Sequence, residues 1–397
     1  MPLAVMAQAG DDFDRWFTGG TLRLDCLREG SAKGDTVWVE HWIDRPGRWH
    51  GSRTQMLDPF DNGDYRVVMR DVATGRELYS RGYSNLFREY KDTPEGKTTV
   101  RRFEEVLLLP MPRGKVLIAL QKRDSAMRLH DQTVVPFDPS NDLLLPTCVV
   151  SVPDTYELHG DPSVKFDLAF VMQGFDDDTS YYNSVCRRMA EGFFKSEPFR
   201  SHRKDFNLYF IRGDAGVDYN ALGSDRYAMT FRLFQLHNVL GNTPCDHIIV
   251  VLNNGKYGGG AIYNFYSVSS LHSMAEMVLT HELGHGIGGL ADEYVDEELS
   301  YADLHRTHYE PLEPNITNLV DFDSKWKRQL KKGTLVPTPE NRKVPRTENG
   351  PLGVYEGAGY STKGVYRPAM HCMMRDYAPF CPVCRERLEA VFNLYTR

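Results

Sequence analysis

His281 and His285 stand four positions apart, and Glu282 directly follows the first of them, in the stretch HELGHGIGGLADEY. On a helix that spacing puts both imidazoles on one face, close enough to converge on one ion. Glu282 then lies about 100° round the axis, where it reaches a water on that ion rather than the ion itself. Zinc in a hydrolase takes three protein ligands and keeps a fourth position open. If the helix ran on, Asp292 would sit roughly 10 Å past His285, so the chain has to break and fold back. Gly288-Gly289 is where it can, because glycine accepts the left-handed backbone that ends helices. In zinc peptidases of the pattern H-E-x-x-H-x-x-G-x-x-H the third ligand comes three residues after the turn glycine. Counted from Gly288 that position is Ala291, which binds no metal; counted from Gly289 it is Asp292, which can. The expected site is therefore His281, His285 and Asp292 around Zn2+, with Glu282 as general base and Glu293 as the alternative third ligand. The competing reading is a buried helix whose two histidines bond backbone carbonyls.

Such a site needs elements to hold it. Met274, Val278, Leu279, Leu283 and Ile287 recur at helical spacing through the motif, and Ser273 with Glu276 reads as a capping box. Upstream, KFDLAFVMQG, FNLYFIRG and DHIIVVLNN read as buried strands. They alternate with helical patterns in TSYYNSVCRRMAEGFFKS and near 222–240, which argues an α/β layer. GKYGGGAIYNFYSVSS adds a glycine loop and a further β-prone segment. An exposed sheet edge there would let an extended peptide pair with it beside the metal; a mere tight turn is the other reading. From about 295 to 370 the chain is polar, rich in Pro and Gly and weakly periodic, as segments framing a site often are. Pro382 to Tyr395 reads as a C-terminal helix.

The first part of the chain has another texture. TLRLDCL, DTVWVEHWI, YRVVMRDV, EEVLLL and KVLIALQ are strand-like, broken by Gly, Pro, Asp and Asn, with no helical period. They predict an antiparallel β-sandwich that gathers no catalytic residue types. The Pro- and Asp-rich stretch FDPSNDLLLPTCVVSVPD marks the division. The expected organisation is 1–11 as a residual export signal or else a flexible N-terminus, 12–148 as the sandwich and 149–397 as the catalytic unit. In the leader, Ala7-Gln8-Ala9 fits a small-x-small cleavage site. At 397 residues, two units are expected. A net charge of −7 gives no reason to expect nucleic acid, and no apolar run is long enough to cross a membrane. GKYGGGA lacks the spacing of a phosphate loop.

HELGHGIGGLADEY resembles the active-site segment of the IgA-peptidase family of zinc metallopeptidases, a metzincin-like group. EPNITNLVDFDSKWK, YEGAGYSTKGVYRPAMHCMM and FCPVCRERLEAVFNLY resemble later segments of that family, in the same order. The resemblance implies a multidomain α+β chain, an N-terminal antiparallel β-sandwich followed by a metzincin-like α/β zinc peptidase domain. It implies a secreted or cell-envelope zinc endopeptidase acting on protein or peptide, with His281, His285 and Asp292 as ligands and Glu282 as base. It also implies a methionine in a turn beneath the zinc, Met374 or else Met373, either of which is otherwise plain packing. Two rivals remain: a catalytically silent surface or glycan-binding protein, which the intact Glu282 speaks against, and a zinc hydrolase of a non-peptide amide or ester.

Seven cysteines cannot all pair within the chain. Cys26, Cys148, Cys186 and Cys245 read as core residues. For Cys372, Cys381 and Cys384 a disulfide from Cys372 to one of the later pair ranks first, as suits an exported enzyme. A structural zinc site, with His371 the only sequence neighbour to complete it, and three buried reduced thiols are the alternatives. Tyr360, Arg367, His371 and Tyr377 are candidate oxyanion donors, none assigned. His272, His305 and His308 read as surface or packing residues.

Overall fold

The computed structural model describes residues 9–146, 152–175, 178–296, 305 and 308–396. The N-terminal part is a β-rich region preceded by a short helix, α1 (Ala9–Trp16). Its strands are β1 (Phe17–Ser31), β2 (Gly34–Arg45), β3 (Tyr65–Asp71), β4 (Glu77–Tyr83), β5 (Arg101–Pro112), β6 (Val116–Arg123), β7 (Leu129–Phe137) and β8 (Leu145–Pro146). They form two four-stranded sheets, ordered β5-β1-β2-β8 and β4-β3-β6-β7. All pairings are antiparallel except the two-residue parallel contact of β8 with β2. Leu22 and Leu24 of β1, Val67 and Met69 of β3, and Ile118 and Leu120 of β6 are buried in one core, so the two sheets face each other as the alternating pattern requires.

Several elements here escape the sequence reading: α1, β4, β7, β8 and one short helical turn. The turn α2 (Leu86–Tyr90) follows β4, with the Asn85 side chain accepting from Arg88 N at its N-terminus. Five residues are too few to show a helical period. The expected leader falls largely on residues outside those described, and Ala9 already belongs to α1.

The second part is built on a six-stranded sheet. Its strands are β9 (Asp154–Glu157), β10 (Phe166–Gln173), β11 (Phe206–Arg212), β14 (His247–Leu252), β15 (Gly259–Ile262) and β16 (Tyr266–Ser270), and its order is β15-β16-β14-β10-β11-β9. β12 (Val217–Asp218) and β13 (Met229–Thr230) form a small separate pair. β10, β11, β14 and β16 are parallel neighbours, and the two edge strands are antiparallel. The helices are α3 (Thr179–Phe193), α4 (Leu233–Leu240), α5 (Ala275–Gly288), α6 (Met373–Asp376) and α7 (Pro382–Tyr395); β17 (Tyr355–Ala358) and β18 (Ser361–Arg367) form a hairpin. The helix expected near 222–240 begins only at Leu233, because the residues before it make a turn and β13. No helix among the described residues is long and apolar enough to cross a membrane.

The central strands are apolar throughout because both faces are covered. Leu168, Phe170 and Met172 of β10, with Ile249 and Val251 of β14, face α3, α5 and α7. The alternate residues Ala169, Val171, Ile248 and Val250 join the same core as β1, β3 and β6. The division expected near residue 148 falls among residues outside those described.

A fully buried ion pair ties the N-terminal sheets to α2. Arg28 Nε donates to Glu105 Oε1, and Glu105 also takes the Tyr83 hydroxyl at 2.9 Å and the Asn85 amide that caps α2. Arg28→Met leaves Glu105 with neutral donors only, and breaking such a buried pair costs about 3–5 kcal/mol. A denaturant midpoint should fall accordingly, and a loss below about 1 kcal/mol would contradict the role given to this pair.

Candidate metal centre

α5 carries the motif. Its first turn differs from expectation: Met274 occupies the N-cap without a side-chain bond, so no capping box forms. Glu276 instead pairs with Arg188 of α3 at 3.4 Å and with Lys195, just past the end of that helix, at 2.6 Å. At its other end the helix stops at Gly289, whose backbone is left-handed (φ +59°, ψ +35°) and whose N–H returns to the carbonyls of Gly284 and His285. A Cβ on Gly289 would also lie 2.0 Å from the Asn62 amide nitrogen, so the position excludes a side chain twice over.

The chain then folds back and brings Asp292 to the histidines. Asp292 Oδ1 lies 3.1 Å from His281 Nε2 and 3.3 Å from His285 Nε2, and the two Nε2 atoms are 3.0 Å apart. The edge of a tetrahedron with ligands at ~2.0–2.1 Å is roughly 3.3 Å, so the triangle has the size a zinc site needs. Glu293, the alternative, is fully buried elsewhere: its carboxylate accepts from Asn315 at 2.9 Å and meets Cys384 Sγ at 3.3 Å.

Backbone carbonyls fix the polarity of the triangle. His281 Nδ1 is 2.9 Å from the Met373 carbonyl and His285 Nδ1 is 2.6 Å from that of Leu290. A carbonyl only accepts, so each Nδ1 carries a proton, and a ring that holds no second proton turns its Nε2 lone pair inward. The feature of the competing reading, histidines bonded to carbonyls, is thus present, and it uses only the outer nitrogens. Asp292 Oδ1 is buried with no protein hydrogen-bond donor. Three acceptors facing one another call for a cation or for protons. In the bare site, burial alone would push the His285 imidazole down; the Asp292 carboxylate outweighs it and lifts it to about 9. Burial likewise works against ionised Asp292, yet the two histidines hold it well below the usual carboxylate range. Burial pushes Glu282 up.

Asp292 is held from its other side by the β17–β18 hairpin. Gly359 and Tyr360 form a two-residue turn with both φ values positive (+55° and +68°). Gly359 N donates to the Asp292 carbonyl at 2.9 Å and the Tyr360 hydroxyl donates to Asp292 Oδ2 at 2.5 Å. Of the candidate oxyanion donors, Tyr360 is therefore taken up by the carboxylate. Tyr377 stands edge-on to His281, 5.6 Å between ring centres, its hydroxyl 2.8 Å from that of Tyr257. Arg367 is buried on the carbonyls of Glu356 and Gly357, and His371 is bound to Asp376 and the Val344 carbonyl, so neither faces the site. Met374 packs under α5, where a Cβ on Gly284 would come within 2.5 Å of its sulfur.

The triangle opens into a cleft of about 560 Å³. Glu282, Tyr257, Tyr377 and the β15 segment line it. So do Asn62, Arg88 and Glu89 from the N-terminal part and the buried His305, contributions the sequence reading missed. β15 is the sheet edge, but a partly covered one: Gly259 already exchanges main-chain bonds with Arg226 (3.2 Å) and Ala228 (3.1 Å). By the antiparallel alternation, Ala261 is the next residue whose main-chain groups point outward.

The expected disulfide is not formed. Cys372 Sγ and Cys384 Sγ are 3.7 Å apart, against the ~2.05 Å of a bond, and Cys372, Cys381 and Cys384 are all free and buried. Cys26, Cys186 and Cys245 are buried as expected, and Cys148 lies outside the described residues.

Two family models match the chain. One, described as Peptidase M64 N-terminus, covers residues 12–133; the other, described as IgA Peptidase M64, covers 156–350 and 345–392. No curated protein matches.

If the triangle holds a metal, Tyr360→Phe should weaken its binding by about 10–100-fold, the usual effect of losing a group that orients a ligand, with the circular dichroism unchanged. Chelator competition measures it, and unaltered affinity would remove Tyr360 from the site. With His285 protonated below about 9 in the bare site, an incoming cation must displace that proton. Apparent affinity should therefore rise by roughly tenfold per pH unit below that value for a single displaced proton. Calorimetry in buffers of different ionisation enthalpy would detect the released proton, and its absence would contradict the assignment.

Proposed function

The chain belongs to the IgA Peptidase M64 family of metallopeptidases, and on that footing we propose that it is a zinc endopeptidase using His281, His285 and Asp292 as ligands and Glu282 as general base. The observation that carries this reading is the convergence of two inward-facing Nε2 lone pairs and an unpartnered Asp292 Oδ1 on one point at tetrahedral spacing. When bound, zinc would polarise the scissile carbonyl and acidify the attacking water.

The chain's own residues do the rest. The carbonyls of Met373 and Leu290 keep both imidazoles in the tautomer that can ligate, and Tyr360 keeps Asp292 turned inward. Glu282 stands in the cleft off the ligand face of α5, close to Gly259, where a Cβ would come within 3.1 Å of its Oε1. Its carboxylate takes the proton of the attacking water and passes it to the leaving amine; burial raises its basicity for the first transfer. An extended peptide would pair with the outward main chain at Ala261 and cross the motif helix. The bridge at Gly259 limits that pairing, so most of the hold on substrate falls to the cleft walls, including Arg88 and Glu89. The metzincin-like arrangement, with Met374 beneath the metal, and export to the medium or the envelope belong to the same proposal.

In this reading Glu282→Gln keeps zinc at the wild-type ratio but loses about 10²–10⁴-fold in peptide cleavage. Digestion of a peptide library by zinc-loaded wild type and variant decides it. Cleavage untouched by the substitution, or a loaded wild type that cuts no peptide, would overturn the proposal.

A further inference from the structure

The carboxylate next to Asp292 takes part in a second convergence. Glu293, Cys372, Cys381 and Cys384 each offer one ligand atom, and these atoms all lie within 4.8 Å of one another. All four residues are fully buried, at 0% exposure. The Cys372–Cys384 sulfur separation is 3.7 Å and the Cys384 Sγ to Glu293 Oε1 distance is 3.3 Å. For a tetrahedral ion with sulfur at ~2.3 Å and a carboxylate oxygen at ~2.0–2.2 Å, those edges are about 3.8 and 3.5 Å. The Cys372 and Cys384 sulfurs are therefore at a separation that two ligands of one ion would have, and too far apart for a bond.

Three further features fit an ion. Glu293 Oε2 is buried without a hydrogen-bond partner, so the carboxylate is only half satisfied by Asn315. Cys381 and Cys384 form a C-P-V-C pair at the N-terminus of the fourteen-residue α7, where the helix dipole favours thiolates. Cys381 N donates to Cys372 Sγ at 3.4 Å, a bond that strengthens when the sulfur is anionic. A disulfide between any two of the cysteines would leave the third thiol and the half-satisfied carboxylate buried together, which is costly without a partner.

We propose that Cys372, Cys381, Cys384 and Glu293 hold a second, structural divalent cation of the thiolate-preferring class, with zinc the ion best suited to such a donor set. Its binding displaces the thiol protons to solvent. Four anionic ligands around a dication leave a net negative charge, and Arg367 and Arg375 are near enough to act on Glu293 electrostatically. The ion would work through position. Glu293 N donates to the Met374 carbonyl at 2.7 Å, and the Met373 carbonyl orients His281. Clamping Glu293 to Cys372 and to the start of α7 would fix Asp292 and that carbonyl together.

The test uses the full chain. Elemental analysis of the zinc-grown protein should give two zinc per chain, with one retained in His285→Ala. Reconstitution with cobalt(II) should give a thiolate-to-cobalt charge-transfer band in the near ultraviolet, retained in His285→Ala and lost in Cys381→Ser and Cys384→Ser. After denaturation in chelator without reductant, all seven cysteines should react as thiols. If the serine variants fail to fold, the wild-type band and thiol count still decide. Five reactive thiols would show a disulfide and overturn the proposal; so would seven thiols with no charge-transfer band. Loss of peptidase activity in His285→Ala with the band intact would separate this site from the catalytic one.

Discussion

Everything at the centre depends on one reversal of the chain. A helix can present two imidazoles four residues apart, but it cannot supply a third group to the same point from its own continuation. The left-handed backbone at Gly289 ends α5 and lets Asp292 return to within 3.3 Å of both Nε2 atoms. Asn62 crowds the inside of that bend and the Gly359–Tyr360 turn holds its far side. The reversal is thus clamped by segments from both ends of the chain. A buried carboxylate tolerates its place only because two imidazoles face it, and the imidazoles tolerate theirs only because carbonyls hold their outer nitrogens.

Much of this was legible in the sequence. The helix, its break at the glycines and the count to Asp292 follow from local rules: helical period, the conformational freedom of glycine and ligand chemistry. α7 is legible to its end residues, and the central strands β10, β11 and β14 stand out as apolar runs because both their faces are covered, while the edge strand β9 does not. What stayed hidden depends on partners far along the chain. Tyr360 lies 68 residues from Asp292, and nothing local marks it as that carboxylate's donor. Glu293 meets cysteines some 80 to 90 positions away, whereas the only metal-binding neighbour of Cys372 in sequence is His371. The capping box does not form, and Glu276 pairs instead with Arg188 of α3 and with Lys195 just beyond it.

The N-terminal sheets show the same limit. Five of their eight strands are legible one by one, as alternating or apolar segments, and β4, β7 and β8 are not. The sheets' contribution to the cleft is not legible either, since Arg88 and Glu89 sit on a five-residue turn whose position is set by Asn85 and the buried Glu105. Side chains that look unremarkable on a short helix become cleft residues once β4 delivers that helix beside the motif.

The two-sided covering of the central sheet has an evolutionary consequence. In many α/β proteins helices seal both faces, so the catalytic layer is a self-contained module that can be shuffled between genes. Here Val171, Val250 and Val268 are sealed on one side by a core shared with β1, β3 and β6. Severed from its leading half, the catalytic layer would bare a greasy strip and become prone to clumping. The two halves are therefore constrained to be inherited together, and a relative that lost the first would have to grow a replacement cover.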